Sequence, residues 1–328
     1  MWVNALREAA DFIRERDDFL IVSHVQPDGD AISSTVATGW LLDKLGKRYT
    51  MLNEGPVPSK LRYLWNSSTI ETPGENGEKS VKTYRNVICV DCADYARVGR
   101  SVSWIAPDAV ILNIDHHPTN DGFGAANLMK FDAAATAEIL IELIDEFGIA
   151  LDNDVATAIY TGLMTDTGGF RYSNTSPAVM AMASRLLKEG VNGPELAEHL
   201  LERMTPGQLS MIRRGLNRLE FSQDQRIAWL WVTSEDLEET GATNEDLEGL
   251  VNYPRNVDGI EVGILFKENG STSVKASLRS AGKVNVAAVA QTFGGGGHVR
   301  AAGLRLTVPL QEAIEQVVAE VQKALDES

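Results

Sequence analysis

Three short runs in the first 120 residues, "FLIV" at 19–22, "NVICVD" at 86–91 and "AVILNID" at 109–115, are almost wholly apolar up to their last residues. A strand that is apolar on both faces must be covered on both sides, and in mostly parallel sheets helices do the covering. The segments between and after these runs supply them. "AISSTVATGWLLDKLG" reads as a helix closed by Gly46, and "TAEILIELIDEFG" as one ending at Gly148. "NDVATAIYTGLMTDTGGF" reads as a helix capped by Asp152 or Asn153, and "SPAVMAMASRLLKEG" as one capped by Ser176 with Pro177 in its first turn. Short apolar strands alternating with helices predict an α/β domain with a mostly parallel sheet flanked by helices over residues 1–190.

The pattern then changes. Residues 191–222, including "GPELAEHLLERMTPGQLSMIRRGLNRLEF", read as an amphipathic helical connector. Beyond it, "RIAWLWVT", "IEVGILFKE", "STSVKASLR" and "GLRLTV" read as strands, with Asn269-Gly270 as a hairpin signal between the middle two. "NVAAVAQTF" and "LQEAIEQVVAEVQKALDE" read as helices, so residues 223–328 form a smaller α+β domain.

The same first half carries a second pattern. The chain has only five histidines, yet His116 and His117 are neighbours, at the exit of an apolar run that ends on Asp115. The other exits are similar: His24, Asp28 and Asp30 follow the first run, Asp91 ends the second, and Asp166 lies in the loop after "YTGLMTDTGG" begins to turn. In open parallel sheets, sites form in the crevice beyond the carboxyl ends of the strands, so these groups converge on one edge. A lone aspartate at a strand end is usually a turn or helix cap, and Asp28 or Asp30 alone fits that role. Caps do not account for ligand-type residues at every exit. So many carboxylates together repel one another unless cations compensate. Mixed imidazole and carboxylate donors, without thiolate, suit Mn²⁺, Fe²⁺, Zn²⁺ or Mg²⁺. The donors exceed the needs of one ion, and two ions about 3.5–4 Å apart that share a carboxylate would use them all.

Composition narrows the function classes. No stretch approaches the roughly 18 consecutive apolar residues of a membrane span. The N-terminal "MWVNALREAADFIRERDD" is a charged amphipathic helix rather than a signal peptide, which leads us to expect a cytoplasmic protein without a membrane partner. Cys89 and Cys92 form C-x-x-C at a strand end, but no other cysteine exists to complete a zinc site, so both are expected to be small buried hydrophobes. A net charge of −16 argues against tracking long nucleic acid, duplexes included. One segment departs from this balance. From Ser271 to Gln311 there is no acid, but there are Lys275, Arg279, Lys283, Arg300 and Arg305. Such a segment is either a candidate anion pocket or a chance clustering on a sheet.

"SHVQPDGDA", "VDCAD", "IDHHPTN" and "GLMTDTGGFRYSNT" resemble the four successive motifs of the DHH phosphoesterase superfamily. "KASLRS" and "FGGGGHVRAAG" resemble the substrate motifs of its DHHA1 domain, and length and motif order are similar to the nanoRNase/pAp phosphatase branch over essentially the whole chain. One departure stands out: the family's first motif usually continues with Gly-Ser after its second aspartate, where this chain has Ser33-Ser34, which bears on close backbone packing there. Carried over by position, the resemblance implies one ion held by His24, Asp28 and Asp91, and another by Asp30, Asp91, His116 and Asp166, with Asp91 bridging. His117 would face the phosphate as hydrogen-bond donor or general acid, and Asp115 would fix a histidine's orientation. Arg279 and His298, with Arg300 helping, would grip phosphate or nucleotide, and the glycine run that includes Gly296 and Gly297 would let backbone N–H groups approach an anion. His199, in "ELAEHLLERM", has no such context and reads as an ordinary helix residue.

The reading is therefore a two-metal phosphoesterase, most readily with Mn²⁺, that hydrolyses very short single-stranded RNA to mononucleotides and 3′-phosphoadenosine 5′-phosphate (pAp) to AMP. A phosphodiesterase of cyclic or linear dinucleotides, or a pyrophosphatase or exopolyphosphatase, is the enzyme alternative. A non-catalytic nucleotide-binding regulator is the third, and the complete ligand set weighs against it. Association into a homodimer is left open.

Overall fold

The computed structural model describes residues 2–74, 82–270 and 272–327; Ser271, first in the acid-free stretch and in the strand read from "STSVKASLR", lies outside them. The chain divides into two compact units, Met1–Arg203 and Met204–Ser328.

The first unit runs α1 (Trp2–Glu15), β1 (Phe19–Val22), α2 (Gly29–Lys44), β2 (Tyr49–Leu52), β3 (Tyr84–Val90), β4 (Ile105–Asp115), β5 (Ala126–Met129), α3 (Thr136–Glu146), α4 (Asn153–Asp166), α5 (Pro177–Lys188) and α6 (Gly193–Ala197). Its five strands are all parallel, in the order β2-β1-β3-β4-β5. Both faces are covered, one by α-helices and the other mainly by the 3₁₀-helical segment Tyr95–Trp104 and adjoining loops. Phe19, Ile21, Ile88, Val90, Leu112 and Ile114 pack into the larger core, built with α1 to α5. Leu20, Val22, Val87 and Cys89 point the other way and pack with Leu52, Cys92 and Val98. Both cysteines are buried and unbridged, as expected of small hydrophobes. β2 and β5 carry no comparable apolar run: each has four residues with two only half-buried, too little pattern to mark a strand.

The second unit runs α7 (Pro206–Leu216), β6 (Glu220–Phe221), β7 (Ile227–Val232), α8 (Ser234–Thr240), α9 (Asn252–Arg255), β8 (Val262–Glu268), β9 (Val274–Ser280), α10 (Val286–Thr292), β10 (Gly296–His298), β11 (Ala301–Leu306) and α11 (Leu310–Asp326). Its sheet has the order β10-β11-β9-β8-β7-β6, with β7 and β8 parallel and the other pairs antiparallel. Alternate residues of β8, β9 and β11 pack against α10 and α11 on one face. On the other face, α7 and the segment around Leu247–Val251 cover Leu230, Val232 and Leu265.

The division between the units falls inside the helical stretch 191–222. The stretch is broken there: α6 and a π-helical turn (Glu198–Glu202) belong to the first unit, and Thr205 caps α7 in the second. His199, in that turn, meets Tyr63 edge-on with ring centroids 5.2 Å apart, and its Nε2 lies 2.9 Å from the Lys60 carbonyl oxygen, as suits a packing residue. Among the described residues no helix is long and apolar enough to cross a membrane.

Candidate functional site

The loop after β1 delivers the first donors. Asp28 caps α2, its Oδ1 accepting from the Ala31 N–H at 3.2 Å, so the cap reading of this residue is correct. Capping does not remove it from the ligand set, because the same Oδ1 lies 3.7 Å from His24 Nε2. His24 places Nδ1 2.9 Å from the Val25 carbonyl, and Nε2 faces Asp28 and, at 3.5 Å, Asp91 Oδ2. A histidine that donates one N–H to a carbonyl presents the other nitrogen as an acceptor, the arrangement a metal ligand requires.

Asp30 is also a cap, but of a helix 106 residues away. Its Oδ2 accepts from Thr136 N–H at 2.6 Å and its Oδ1 from Ala137 N–H at 3.0 Å, while Ser34 Oγ donates to Oδ1 at 3.2 Å. The N-cap position of α3 is Ala135, which has no side-chain oxygen of its own. The close approach depends on Gly162, where a Cβ would stand 2.6 Å from Ala137 Cβ and 2.8 Å from Asp30 Oδ1. Ser33, the departure from the family motif, is fully buried beside that position, with its hydroxyl lacking a hydrogen-bond partner among the described residues. The packing tolerates the extra hydroxyl because the facing residue is glycine.

Asp91 follows the last residue of β3 with φ +55, a left-handed backbone that costs a non-glycine residue on the order of 1–3 kcal/mol. Its N–H donates to the Ile114 carbonyl at 3.0 Å, and Thr136 Oγ1 donates to its Oδ1 at 3.1 Å. So oriented, the two oxygens face different neighbours. Oδ2 turns to His24, and Oδ1 lies 3.7 Å from His116 Nε2. His116 Nε2 is also 3.4 Å from Asp166 Oδ2. Asp166 is the last residue of α4 rather than part of the following loop, so the helix axis fixes its direction.

The ligand atoms of His24, Asp28 and Asp91 lie within 4.8 Å of one another, as do those of Asp30, His116 and Asp166, and those of Asp91, His116 and His117. Within the last grouping, His117 differs from His116 in its hydrogen bonding, although its Nδ1 also lies 3.6 Å from Asp91 Oδ1. His117 Nδ1 lies 2.8 Å from Asp115 Oδ1, and the other oxygen of the fully buried Asp115 accepts from Asn120 Nδ2 at 2.6 Å. Nδ1 is thereby taken up by the carboxylate, and Nε2 is the nitrogen that can meet a substrate. Asn120 and Thr136, which hydrogen-bond Asp115 and Asp91, are contacts of the candidate site that sequence reasoning missed; the one signal was Asn120's place in the quoted "IDHHPTN".

The electrostatics fit a cation centre. Burial, then the charges of Asp91 and Asp28, hold the Asp30 carboxyl well above its usual range, and burial with Asp30, Asp28 and Asp91 does the same to Asp166. Burial works against a charged His24, but Asp28 and Asp91 outweigh it and push its pKa up to about 11. Burial opposes ionisation of Asp91 too, and His24, His116 and His117 overcome it, leaving that carboxyl below its usual range. A ligating nitrogen must be unprotonated, so metal binding requires the proton on His24 to leave, and the raised Asp30 and Asp166 carboxyls shift in the same direction. Divalent metal added at pH 7 should therefore release protons, and affinity should rise with pH. Titration calorimetry in two buffers of different ionisation heat checks the sign; proton uptake on binding would contradict it.

In the second unit, strand register groups the remaining candidates. Arg279 on β9 pairs with Ala301 on β11, which pairs with His298 on β10, so Arg279 and His298 share one rung and one face. At about 4.8 Å per strand their backbones are roughly 10 Å apart. Gly296 is exposed; Gly297 has φ +144, and a Cβ there would stand 2.5 Å from the Ala301 carbonyl oxygen, so only glycine closes this hairpin. Arg300 is exposed in the turn. Lys283 does not join the group, because its Nζ pairs with Glu261 Oε1 at 2.6 Å.

Residues 18–163 match the N-terminal domain of the DHH family, and residues 225–327 match the DHHA1 domain. The chain is 34% identical over 306 residues to the bifunctional oligoribonuclease and PAP phosphatase NrnA of Thermus thermophilus, covering 93% of this chain and 89% of that protein. It is 26% identical to the protein of the same name from Bacillus subtilis, with 88% of each chain covered. Among solved structures, an exopolyphosphatase-related protein from Bacteroides fragilis is 26% identical, with a TM-score of 0.86 over 99% of this chain and 96% of that one.

Proposed function

Because the chain belongs to the DHH phosphoesterase family, its DHH domain followed by a DHHA1 domain, we propose that it hydrolyses very short oligoribonucleotides to mononucleotides and pAp to AMP. The observation that carries the reading is Asp91: one carboxylate with one oxygen toward His24 and the other toward His116 suits two cations side by side.

His24, Asp28 and Asp91 would hold one ion, and Asp30, Asp91, His116 and Asp166 the other. The mixed nitrogen and oxygen donors favour Mn²⁺ over Mg²⁺, which prefers oxygen throughout. When bound, the ions would supply a nucleophile at neutral pH and offset charge on the phosphoryl oxygens. The chain's own groups do the rest. Asp115, fixed by Asn120, holds the His117 ring so that Nε2 donates to the phosphate or the leaving oxygen. Arg279, His298 and Arg300, with the backbone of Gly296 and Gly297, bind the nucleotide's anionic groups; an arginine does so with charge-assisted, often bidentate bonds. Substrates of a few nucleotides fit a chain of net charge −16, and nothing in this reading needs a membrane or a long duplex. A cytoplasmic place is proposed on the same ground, since the substrates are RNA fragments and nucleotides.

A panel of pAp, pApA, longer RNA, a cyclic dinucleotide and pyrophosphate, each assayed with Mn²⁺ and Mg²⁺, tests the proposal. The expected result is mononucleotide release from pApA and AMP from pAp, with Mn²⁺ preferred. Arg279→Ala should raise KM for pApA about tenfold or more, with metal content unchanged. Preferred turnover of pyrophosphate or the cyclic dinucleotide would replace the proposal with that activity.

A further inference from the structure

The cations of the acid-free segment do not form one pocket. Arg279 lies on the rung with His298, whereas Lys275, four residues earlier on β9, lies on another. There Lys275 is paired with Arg305 of β11 on one side and Lys267 of β8 on the other. Three cations thus stand side by side on adjacent strands, about 4.8 Å apart at the backbone. None has an ion-pair partner among the described residues, although acids outnumber bases 46 to 30 in the chain. Among the described residues, Lys267 Nζ donates to a neutral amide oxygen, that of Asn244. Burial, and then the charges of Lys275 and Arg305, hold the Lys267 ammonium below its usual range. A protein interior or surface with no anionic ligand gains nothing from this crowding.

The rung between the two groups is also informative. On β10, β11 and β9 it consists of Gly296, Gly303 and Ser277, with Gly303 and Ser277 half-exposed, and it continues on β8 with the buried Leu265. The β9–β11 part of this face is therefore a floor of small residues with cations at each end. Along β9 the ends are four residues apart, or about 13 Å. At one phosphate per roughly 3.4 Å of stacked strand, that is about four nucleotides, and fewer if the strand is extended.

We propose that Lys267, Lys275 and Arg305 form a second anion subsite, which holds a phosphate of the oligoribonucleotide several positions from the one bound at the Arg279 rung. The inference rests on the functional reading above for the identity of the ligand. It makes the sheet face a measure of substrate length: a mononucleotide or dinucleotide reaches one end only, and a chain of four or five spans both.

The test is binding without hydrolysis. Metal-stripped full-length protein is titrated against fluorescein-labelled oligoriboadenylates of two to five nucleotides, read by anisotropy at several salt concentrations. For wild type, affinity should rise with length. For the Lys275→Gln/Arg305→Gln variant, the pentamer should bind about tenfold more weakly, and the dimer by about twofold at most. The slope of log affinity against log salt for the pentamer should fall by about 0.7, for one lost phosphate contact. The charge-preserving Lys275→Arg/Arg305→Lys variant should restore length dependence. Equal loss for dimer and pentamer, or pentamer binding as tight as wild type, overturns the subsite. If wild type binds with length dependence yet hydrolyses no RNA, the functional reading fails and the subsite stands. If RNA is hydrolysed but affinity does not change with length, the reverse holds.

Discussion

Asp91→Ala should abolish hydrolysis of every substrate, lowering kcat by at least about 10³-fold. Metal centres contribute several kcal/mol to charge stabilisation, and each 1.4 kcal/mol is worth about tenfold in rate. Asp91 turns one oxygen toward His24 and the other toward His116, so in the two-ion arrangement its loss would remove a shared ligand rather than a single one. The backbone reinforces the point. A left-handed residue after β3, tied to Ile114 by its N–H, sets the direction of this side chain toward His24 and His116. Thermal unfolding reads the same loss: Mn²⁺ at a hundred times its dissociation constant should stabilise wild type by about 2.7 kcal/mol and the variant by far less. Near-normal turnover in Asp91→Ala, with full metal content, would remove the two-ion arrangement from consideration.

His117→Ala should slow the chemistry by roughly 10²–10⁴-fold, the range for a positioned proton donor, while metal content stays near that of wild type. His116→Ala should instead deplete metal. The two rings are adjacent, with centroids 4.6 Å apart, so proximity does not distinguish them. Their partners do. Both lie near Asp91 Oδ1, but His116 Nδ1 is 3.3 Å from the Ala133 carbonyl with its Nε2 toward Asp166, whereas His117 Nδ1 is held at 2.8 Å by Asp115. Asp115→Asn should reproduce much of the His117→Ala defect, since an amide can present its NH₂ to the ring and reverse the tautomer. Metal analysis of both histidine variants decides the matter: equal depletion would make His117 a ligand.

Much of the candidate site was legible in the sequence because uninterrupted apolar runs marked the strands, and His24, Asp28, Asp30, Asp91 and His116 follow directly at their exits. What the sequence hid was long-range. Asp28 reads equally as cap and as ligand because one carboxylate is both. That Asp30 caps α3, over a separation of 106 residues, follows from helix packing through Gly162 and has no local signature. Asp166 read as a loop residue because the two glycines after it suggest an earlier helix end than the one observed. Charge counting grouped Lys275, Arg279 and Lys283 by position along the chain. Register divides them between two rungs and an ion pair, and adds Lys267, which an acid, Glu268, separates from the acid-free window.

The most direct measurement of the central claim is anomalous diffraction from crystals grown with Mn²⁺. Two peaks about 3.5–4 Å apart, one beside His24 and Asp28, the other beside Asp30, His116 and Asp166, and both touching Asp91, are the expected result. A single peak, or a second ion held by His117 in place of Asp91, would contradict it.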